Sequence, residues 1–413
     1  MDKPYAPVDR LALWYLGAPD KPQLVGELSL QHGGRGVALS YADSWLQSGF
    51  ALSEDLPLAS GLFVAREPDT ATGAVDDARP DRWGERLIRK FETSPRMSIL
   101  EYLLFAGDDR YGALGVSTRQ DAYVPWHRSP LPSIESLEDI AEVVRKVLAN
   151  EPVPEPQRRL IQPGGSLGGA RPKSLVVIDG QDWLVKFPEG DELDMPLIEH
   201  ATMSLALACG IDAALTRALP LHRQHAVAIR RFDRAPGRRL HALSANVALK
   251  AAGEREMSYP GLSQLLRRLA PAREIAQQQH QLFTRMVFNI LMDNTDDHEK
   301  NHGLLRQHDG RYRLSPAFDV VPSAQGLGYQ QMIVGDRGTE SSLANAMSQC
   351  RQFGLDARSA QEAIRSICGV VEGWREHFAK CGVQATDMDV LAQYIDGDRL
   401  GRERREFLKK ELN

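Results

Sequence analysis

Asp293-Asn294-Thr295-Asp296-Asp297-His298-Glu299-Lys300-Asn301-His302 carries the densest chemistry in the 413-residue chain, and its reading decides the fold. Two readings compete. The first is zinc, because His298-Glu299-Lys300-Asn301-His302 matches H-E-x-x-H letter for letter. That site needs both histidines on one face of a continuous helix, with the glutamate as general base. Here the apolar helical pattern stops near Asp293, and Asn294 with two aspartates makes a poor helix interior. Gly303 follows His302 at once, and no further ligand stands downstream at a recognisable spacing. The second reading is phosphoryl transfer. Asp296 and Asn301 have the D-x-x-x-x-N spacing of a kinase catalytic loop, where the aspartate takes the hydroxyl proton and the asparagine binds Mg²⁺. A second metal ligand should follow one short hairpin later. Gly303-Leu304-Leu305, a turn at His308-Asp309-Gly310 and Tyr312-Arg313-Leu314-Ser315-Pro316-Ala317-Phe318-Asp319 place Asp319 in that role.

Upstream lies a glycine-rich run, Gly164-Gly165-Ser166-Leu167-Gly168-Gly169-Ala170-Arg171-Pro172-Lys173-Ser174. Lys173-Ser174 is not a Walker A loop, which needs glycine directly before the lysine and a helix directly after it. A hairpin follows instead: strand-like pieces at 174–178 and 183–187 flank the turn Asp179-Gly180. A glycine loop feeding a strand is how a kinase-like small lobe covers phosphates with bare backbone N–H groups. Taken alone, the run is equally a flexible joint. Lys186, in the second strand, can reach nucleotide phosphates, and Glu199 in the following helix would hold it in place. Singly, each is as well read as a solvated side chain. Glycine loop, strand lysine, helix glutamate, catalytic-loop Asp and Asn, and metal Asp nevertheless occur in the order a kinase requires.

The rest of the chain frames this centre. Residues 10–16, 23–30 and 37–46 read as a β-meander. Trp83, Leu87, Ile88 and Phe91 mark a helix after Pro80, and 133–150 is an amphipathic helix with Ser133 placed to cap it. Pro152, Pro154 and Pro156 break regular structure, so 151–157 is expected to be a domain joint. A helix at 196–209 and strands near 215–219 and 227–232 complete a small α+β unit. Beyond about residue 240 the chain is largely helical, with its best helix at 272–292. Apolar residues make up 42% and charged residues 25%, and the formal charge is −5. That balance excludes a disordered chain or a multi-span membrane protein and gives no overall pull toward DNA or anionic lipid. Four cysteines without a C-x-x-C pair, and no signal-like apolar core at the start, lead to an expectation of reduced thiols and a cytoplasmic protein.

These residues resemble the HipA-like serine/threonine kinases of bacterial toxin–antitoxin systems. The matching stretches are Leu184-Val185-Lys186-Phe187-Pro188, Arg231-Phe232-Asp233-Arg234, Asn294 to Asn301, and Leu314 to Asp319. Leu52-Ser53-Glu54-Asp55-Leu56-Pro57-Leu58 and Pro80-Asp81-Arg82-Trp83-Gly84 resemble the family's accessory domain. The resemblance implies an α+β, protein-kinase-like two-lobed fold, with a small α/β lobe and an all-α C-lobe, preceded by a β-rich accessory subdomain. The expected divisions are 1–110 accessory, 111–157 connector, 158–236 small lobe and 237–413 C-lobe.

Carried over residue by residue, the resemblance makes Asp296 the catalytic base and Asn301 and Asp319 the Mg²⁺ ligands. Lys186 contacts ATP, as do Gly168, Gly169, Ala170 and Lys173 of the glycine loop, with Glu199 positioning Lys186. Arg230, Phe232 and Asp233 belong to the hinge that holds adenine, mostly through backbone groups, and His298 lies near the phosphates. Ser166 matches the serine that family members autophosphorylate to silence themselves, while Arg171-Pro172 departs from the family's usual Gln-Glu. The implied partners are a HipB-like helix-turn-helix antitoxin, which would bring the chain to DNA only indirectly, and a protein substrate of the aminoacyl-tRNA synthetase kind. No membrane partner is implied. Three rival functions stand beside this one: a small-molecule kinase of the aminoglycoside or choline type, a silent antitoxin or DNA-complex scaffold, and the zinc hydrolase. The stretch 399–410 carries six basic residues among glutamates and reads as a solvated helix face, or as a DNA or antitoxin contact.

Overall fold

The computed structural model describes residues 5–127, 129–165 and 169–409, so Ser166 and Gly168 lie outside the described residues. The chain forms two compact units. One comprises Met1–Glu189, Arg231–Leu243 and Lys250–Ala252; the other comprises Gly190–Arg230, Ser244–Leu249 and Gly253–Asn413.

The first unit opens with the expected meander: β1 (Arg10–Tyr15), β2 (Gln23–Gln31) and β3 (Gly36–Tyr41). With β4 (Leu62–Phe63), β5 (Thr70–Ala71) and β6 (Leu114–Ser117) they form one sheet in the order β4-β3-β2-β1-β6, with β5 parallel to β3. Side chains alternate faces along β1. Ala12, Trp14 and Leu16 pack with Leu24 and Tyr123 on one face, and Leu11 and Leu13 are buried as well. The third strand is shorter than its apolar pattern suggests. It ends at Tyr41, and Asp43–Ser48 is a helix that buries Trp45.

Helix Arg82–Phe91 buries Trp83, Leu87 and Ile88, the residues whose spacing foretold it. Helix Leu137–Leu148 begins later than expected. Ser133 makes no capping bond and instead bridges Val177, and Ile134–Ser136 forms a separate 3₁₀ turn. The proline-rich stretch also differs from expectation, because Glu155–Arg158 is a short helix. Pro156 sits in its first turn, where a missing N–H removes no helical bond. β7 (Lys173–Ile178) and β8 (Gln181–Lys186) pair antiparallel from Lys173↔Lys186 to Ile178↔Gln181. Asp179 and Gly180 both have positive φ (51° and 70°), the geometry of a two-residue hairpin turn.

In the second unit, helix Met195–Ala208 is capped by Asp194 and is followed by the antiparallel pair β9 (Thr216–Pro220) and β10 (His225–Arg230). The longest helix, Ile275–Leu291, buries Leu282, Phe283, Met286, Val287, Ile290 and Leu291; the turn before it, Ala272–Glu274, is 3₁₀ rather than α. It delivers the chain to the polar run at 293–302. A hairpin of Gly303–Arg306 and Tyr312–Leu314 follows, and helices predominate to Lys409. No helix among the described residues is long and apolar enough to cross a membrane.

Candidate active site

The second unit turns the polar run into a shaped loop. Helix Ile275–Leu291 ends, and Asp293 takes a left-handed conformation (φ 52°) that redirects the backbone. Ser323 fastens the far side: its hydroxyl accepts from the Thr295 N–H at 2.8 Å, and its own N–H donates to the Asp293 carbonyl at 3.0 Å.

Asp297 points inward and is buried. Its Oδ2 accepts from Asn289 Nδ2 at 2.8 Å, from His302 Nε2 at 2.9 Å and from the Tyr259 hydroxyl. Burial alone would raise the Asp297 pKa, but His302 and these hydrogen bonds prevail and hold it below the usual carboxylate range. Asn289 is fixed in turn by Asn294 Nδ2 at 3.1 Å. Nothing in the letters distinguishes Asp297 as the packed member of the Asp-Asp pair. Tyr259 and Asn289 were missed altogether, because neither belongs to a motif.

Asp296 is turned outward and exposed. Partial withdrawal of its carboxylate from water raises its pKa, and the nearby Asp319 and Asp297 carboxylates raise it further, against the opposing pull of His298. A carboxylate shifted this way is a better proton acceptor than a solvated aspartate. Asp319 adopts φ 58°, a left-handed conformation uncommon for a residue with a side chain. Backbone pairing sets its position: the Ala317 N–H donates to the Asp212 carbonyl at 2.7 Å, and the Ala317 carbonyl accepts from Ala214 N–H at 2.8 Å.

His298 caps the single 3₁₀ turn Glu299–Asn301, its carbonyl accepting from the Asn301 N–H at 2.9 Å. Asn301 is buried, and its Oδ1 and the Nδ1 of His298 have no hydrogen-bond partner. An unpaired buried amide oxygen suits a small hard divalent cation such as Mg²⁺. The zinc reading fails on geometry. His298 and His302 flank a 3₁₀ turn rather than sharing a helix face, and His302 Nε2 is engaged by Asp297. Among the described residues no three His, Cys, Asp or Glu side chains group as a metal site. Glu199 is buried in helix Met195–Ala208, and Arg230 is exposed at the end of β10.

The first unit holds the other sequence-derived candidates. Lys173 and Lys186 stand directly opposite each other on β7 and β8, and both are buried. Lys173 Nζ lies 2.5 Å from Asp81 Oδ2 and donates to the Gly169 carbonyl at 2.7 Å. Gly169 has φ 77°, and both it and Ala170 are exposed. The Arg231-Phe232-Asp233-Arg234 motif forms a buried brace. Asp233 accepts from Arg231 (2.7 and 2.9 Å), Arg234 (2.8 Å) and the Gly112 N–H (2.8 Å), while both arginines donate to the Arg110 carbonyl. Asp233 therefore has its carboxylate fully engaged, and Phe232 packs edge-on to Tyr111.

Comparison with known proteins agrees with this architecture. A model of the HipA-like C-terminal domain matches residues 165–374, and one of the HipA N-terminal domain matches residues 21–117. The chain belongs to the HipA-like family. A Sinorhizobium fredii protein named Putative kinase Y4mE is 27% identical over 94% of both chains. A Haemophilus influenzae protein, also named as a kinase of that standing, is 24% identical over 39% of this chain and 53% of its own length. Among solved structures, Shewanella oneidensis HipA, from a complex with HipB and operator DNA, covers 97% of this chain and 100% of its own, with a TM-score of 0.67 at 20% identity. The mixed α/β, kinase-like fold expected from the sequence is thus the fold observed.

Proposed function

We propose that this chain is an ATP- and Mg²⁺-dependent serine/threonine protein kinase acting as the toxin of a toxin–antitoxin module. One observation carries the reading. Asp296 is outward-facing and shifted toward greater basicity beside Asp319, close in sequence to an Asn301 oxygen that is buried without a partner. Asp296 would position the attacking hydroxyl and receive its proton, the work of a kinase catalytic-loop aspartate. A bound Mg²⁺ would supply neutralisation of the phosphate charge, held by Asn301 and Asp319. Lys186 and the glycine loop would contact the phosphates, with Glu199 positioning Lys186 and His298 close to the phosphates. Arg230, Phe232 and Asp233 would serve adenine through the backbone, since the Asp233 carboxylate is otherwise engaged.

Family membership and the kinase-named relatives support this class of activity. The Shewanella protein assembles with HipB on operator DNA, and we propose a HipB-like helix-turn-helix antitoxin as partner here, with DNA reached through it. A translation protein such as an aminoacyl-tRNA synthetase is the proposed substrate, and Ser166 the proposed site of autophosphorylation. The test is incubation of the purified chain with labelled ATP and Mg²⁺, followed by mapping of phosphosites by mass spectrometry. The expected result is phosphate on Ser166 in the wild type and none in Asp296→Asn. Nucleotide-independent behaviour with stoichiometric zinc would overturn the reading.

A further inference from the structure

The Pro80-Asp81-Arg82-Trp83-Gly84 motif has no part in the chemistry above, yet its Asp81, Trp83 and Gly84 each meet the stem of the glycine-rich loop. Asp81 uses its two oxygens separately. Oδ1 accepts from the Gly84 N–H at 2.9 Å and caps helix Arg82–Phe91, while Oδ2 holds Lys173 Nζ at 2.5 Å. Trp83 Nε1 donates to the Lys173 carbonyl at 2.8 Å. Gly84 lies so near the other stem that an added Cβ would stand 2.1 Å from the Pro163 carbonyl oxygen. The motif thus touches the loop's entry at Pro163 and its exit at Lys173.

Lys173 passes the contact onward. Its side chain is almost wholly buried, and the same ammonium that Asp81 holds also donates to the Gly169 carbonyl at 2.7 Å, inside the loop. Each further end of this linkage is fixed. The Phe187 N–H donates to the Pro172 carbonyl at 2.9 Å, and a Cβ on Gly164 would meet the Ala106 carbonyl at 2.3 Å. A carboxylate that orients an ammonium, which in turn orients a loop carbonyl, is a positioning chain.

We propose that Asp81 is a positioning residue that, through Lys173 and the Gly169 carbonyl, sets the glycine loop for the phosphates of a nucleotide. This rests on the nucleotide-binding reading above. On this assignment Lys173 acts chiefly as the staple between Asp81 and the loop, and the accessory helix becomes part of the nucleotide site without touching nucleotide.

The experiment measures Mg-ATP and adenosine binding to the full chain by calorimetry, in the wild type and in Asp81→Asn. Asparagine remains a good helix cap through its oxygen, but it presents an amide N–H₂ or a neutral oxygen to Lys173 and removes the charge. The expected result is about tenfold weaker ATP binding, equivalent to about 1.4 kcal/mol, with adenosine binding unchanged, because only the phosphates meet the loop. Equal weakening of both ligands, or of neither, overturns the proposal. Trp83→Phe removes the indole N–H bond to the Lys173 carbonyl, together with part of a buried ring. It carries the same test if Asp81→Asn does not fold, with a smaller, ATP-selective loss expected and an unselective effect or none counting against the proposal. A wild type that binds neither ligand would instead overturn the nucleotide-binding reading itself, a result distinct from failure of the Asp81 assignment.

Discussion

Asp297 Oδ2 accepts a hydrogen bond from His302 Nε2 at 2.9 Å, across the 3₁₀ turn that carries Asn301. A carboxylate can only accept, so the proton rests on Nε2 and the histidine is oriented with it. The loop is thereby closed on itself, and its two adjacent aspartates do different work: Asp297 holds the shape while Asp296 faces out. Asp297→Ala strands three buried donors at once and should cost about 3–5 kcal/mol of stability. Asp296→Ala should stay within about 0.5 kcal/mol of wild type. Urea unfolding of the two variants checks the difference.

Activity should invert that order. Asp296→Asn is expected to fold normally and to lose phosphotransfer by a factor of about 10² or more, the usual contribution of a positioned general base. Initial rates with labelled ATP measure it. A variant with near wild-type turnover would remove Asp296 from the chemistry.

The buried brace makes a prediction about acid. Burial alone would raise the Asp233 pKa, but Arg231 and then Arg234 pull it down to about 2. Its folded pKa is therefore below the unfolded value of about 3.9. Such a group stabilises the fold fully above the unfolded pKa, and that stability fades as pH falls through the folded pKa. From about pH 4 to about pH 2 the wild type should lose on the order of 2 kcal/mol through this carboxylate. Asp233→Asn should start less stable and show a shallower fall over that window. Denaturant titrations at several pH values give both slopes.

Gly84 sets two effects against each other. Alanine is favoured over glycine in a helix interior by about 1 kcal/mol, so propensity alone predicts that Gly84→Ala stabilises. The 2.1 Å approach of its Cβ to the Pro163 carbonyl predicts the reverse, and backbone cannot swing aside as a flexible side chain can. A net loss of about 1–3 kcal/mol is expected. Gly180→Ala has open space around it and only a positive φ to oppose it, so about 1 kcal/mol should be lost there. Thermal denaturation of both variants separates a steric cost from a dihedral one.

Local chemistry was the legible part of this chain. Asp179-Gly180 marked a turn because both positions need positive φ, and Trp83, Leu87 and Ile88 marked a helix because one face repeats every three or four residues. Asp296 and Asn301 were readable because a loop fixes their spacing. Contacts between distant residues were not. Asp81 and Lys173 are 92 positions apart, and nothing in either neighbourhood announces the other. Asp296 and Asp297 look alike as letters, and only the Tyr259, Asn289 and His302 donors, brought in by three different segments, decide which turns inward. Ser133 looked like a cap because serine often is one, but its backbone was drawn into a bridge with Val177, and the helix began later.

The discontinuous make-up of the two units bears on how the chain is made. Arg231–Leu243 and Lys250–Ala252 complete a unit whose bulk ends at Glu189. The bond from the Gly112 N–H to Asp233 spans 121 residues, so the ribosome must deliver all of them before that brace can close. A chain halted near Glu189 emerges without Arg231, Asp233 and Arg234, leaving the Arg110 carbonyl and the Gly112 N–H bare. Birth order thus forbids an early, finished first unit: its last stitches arrive only after a first stretch of the second unit has been synthesised.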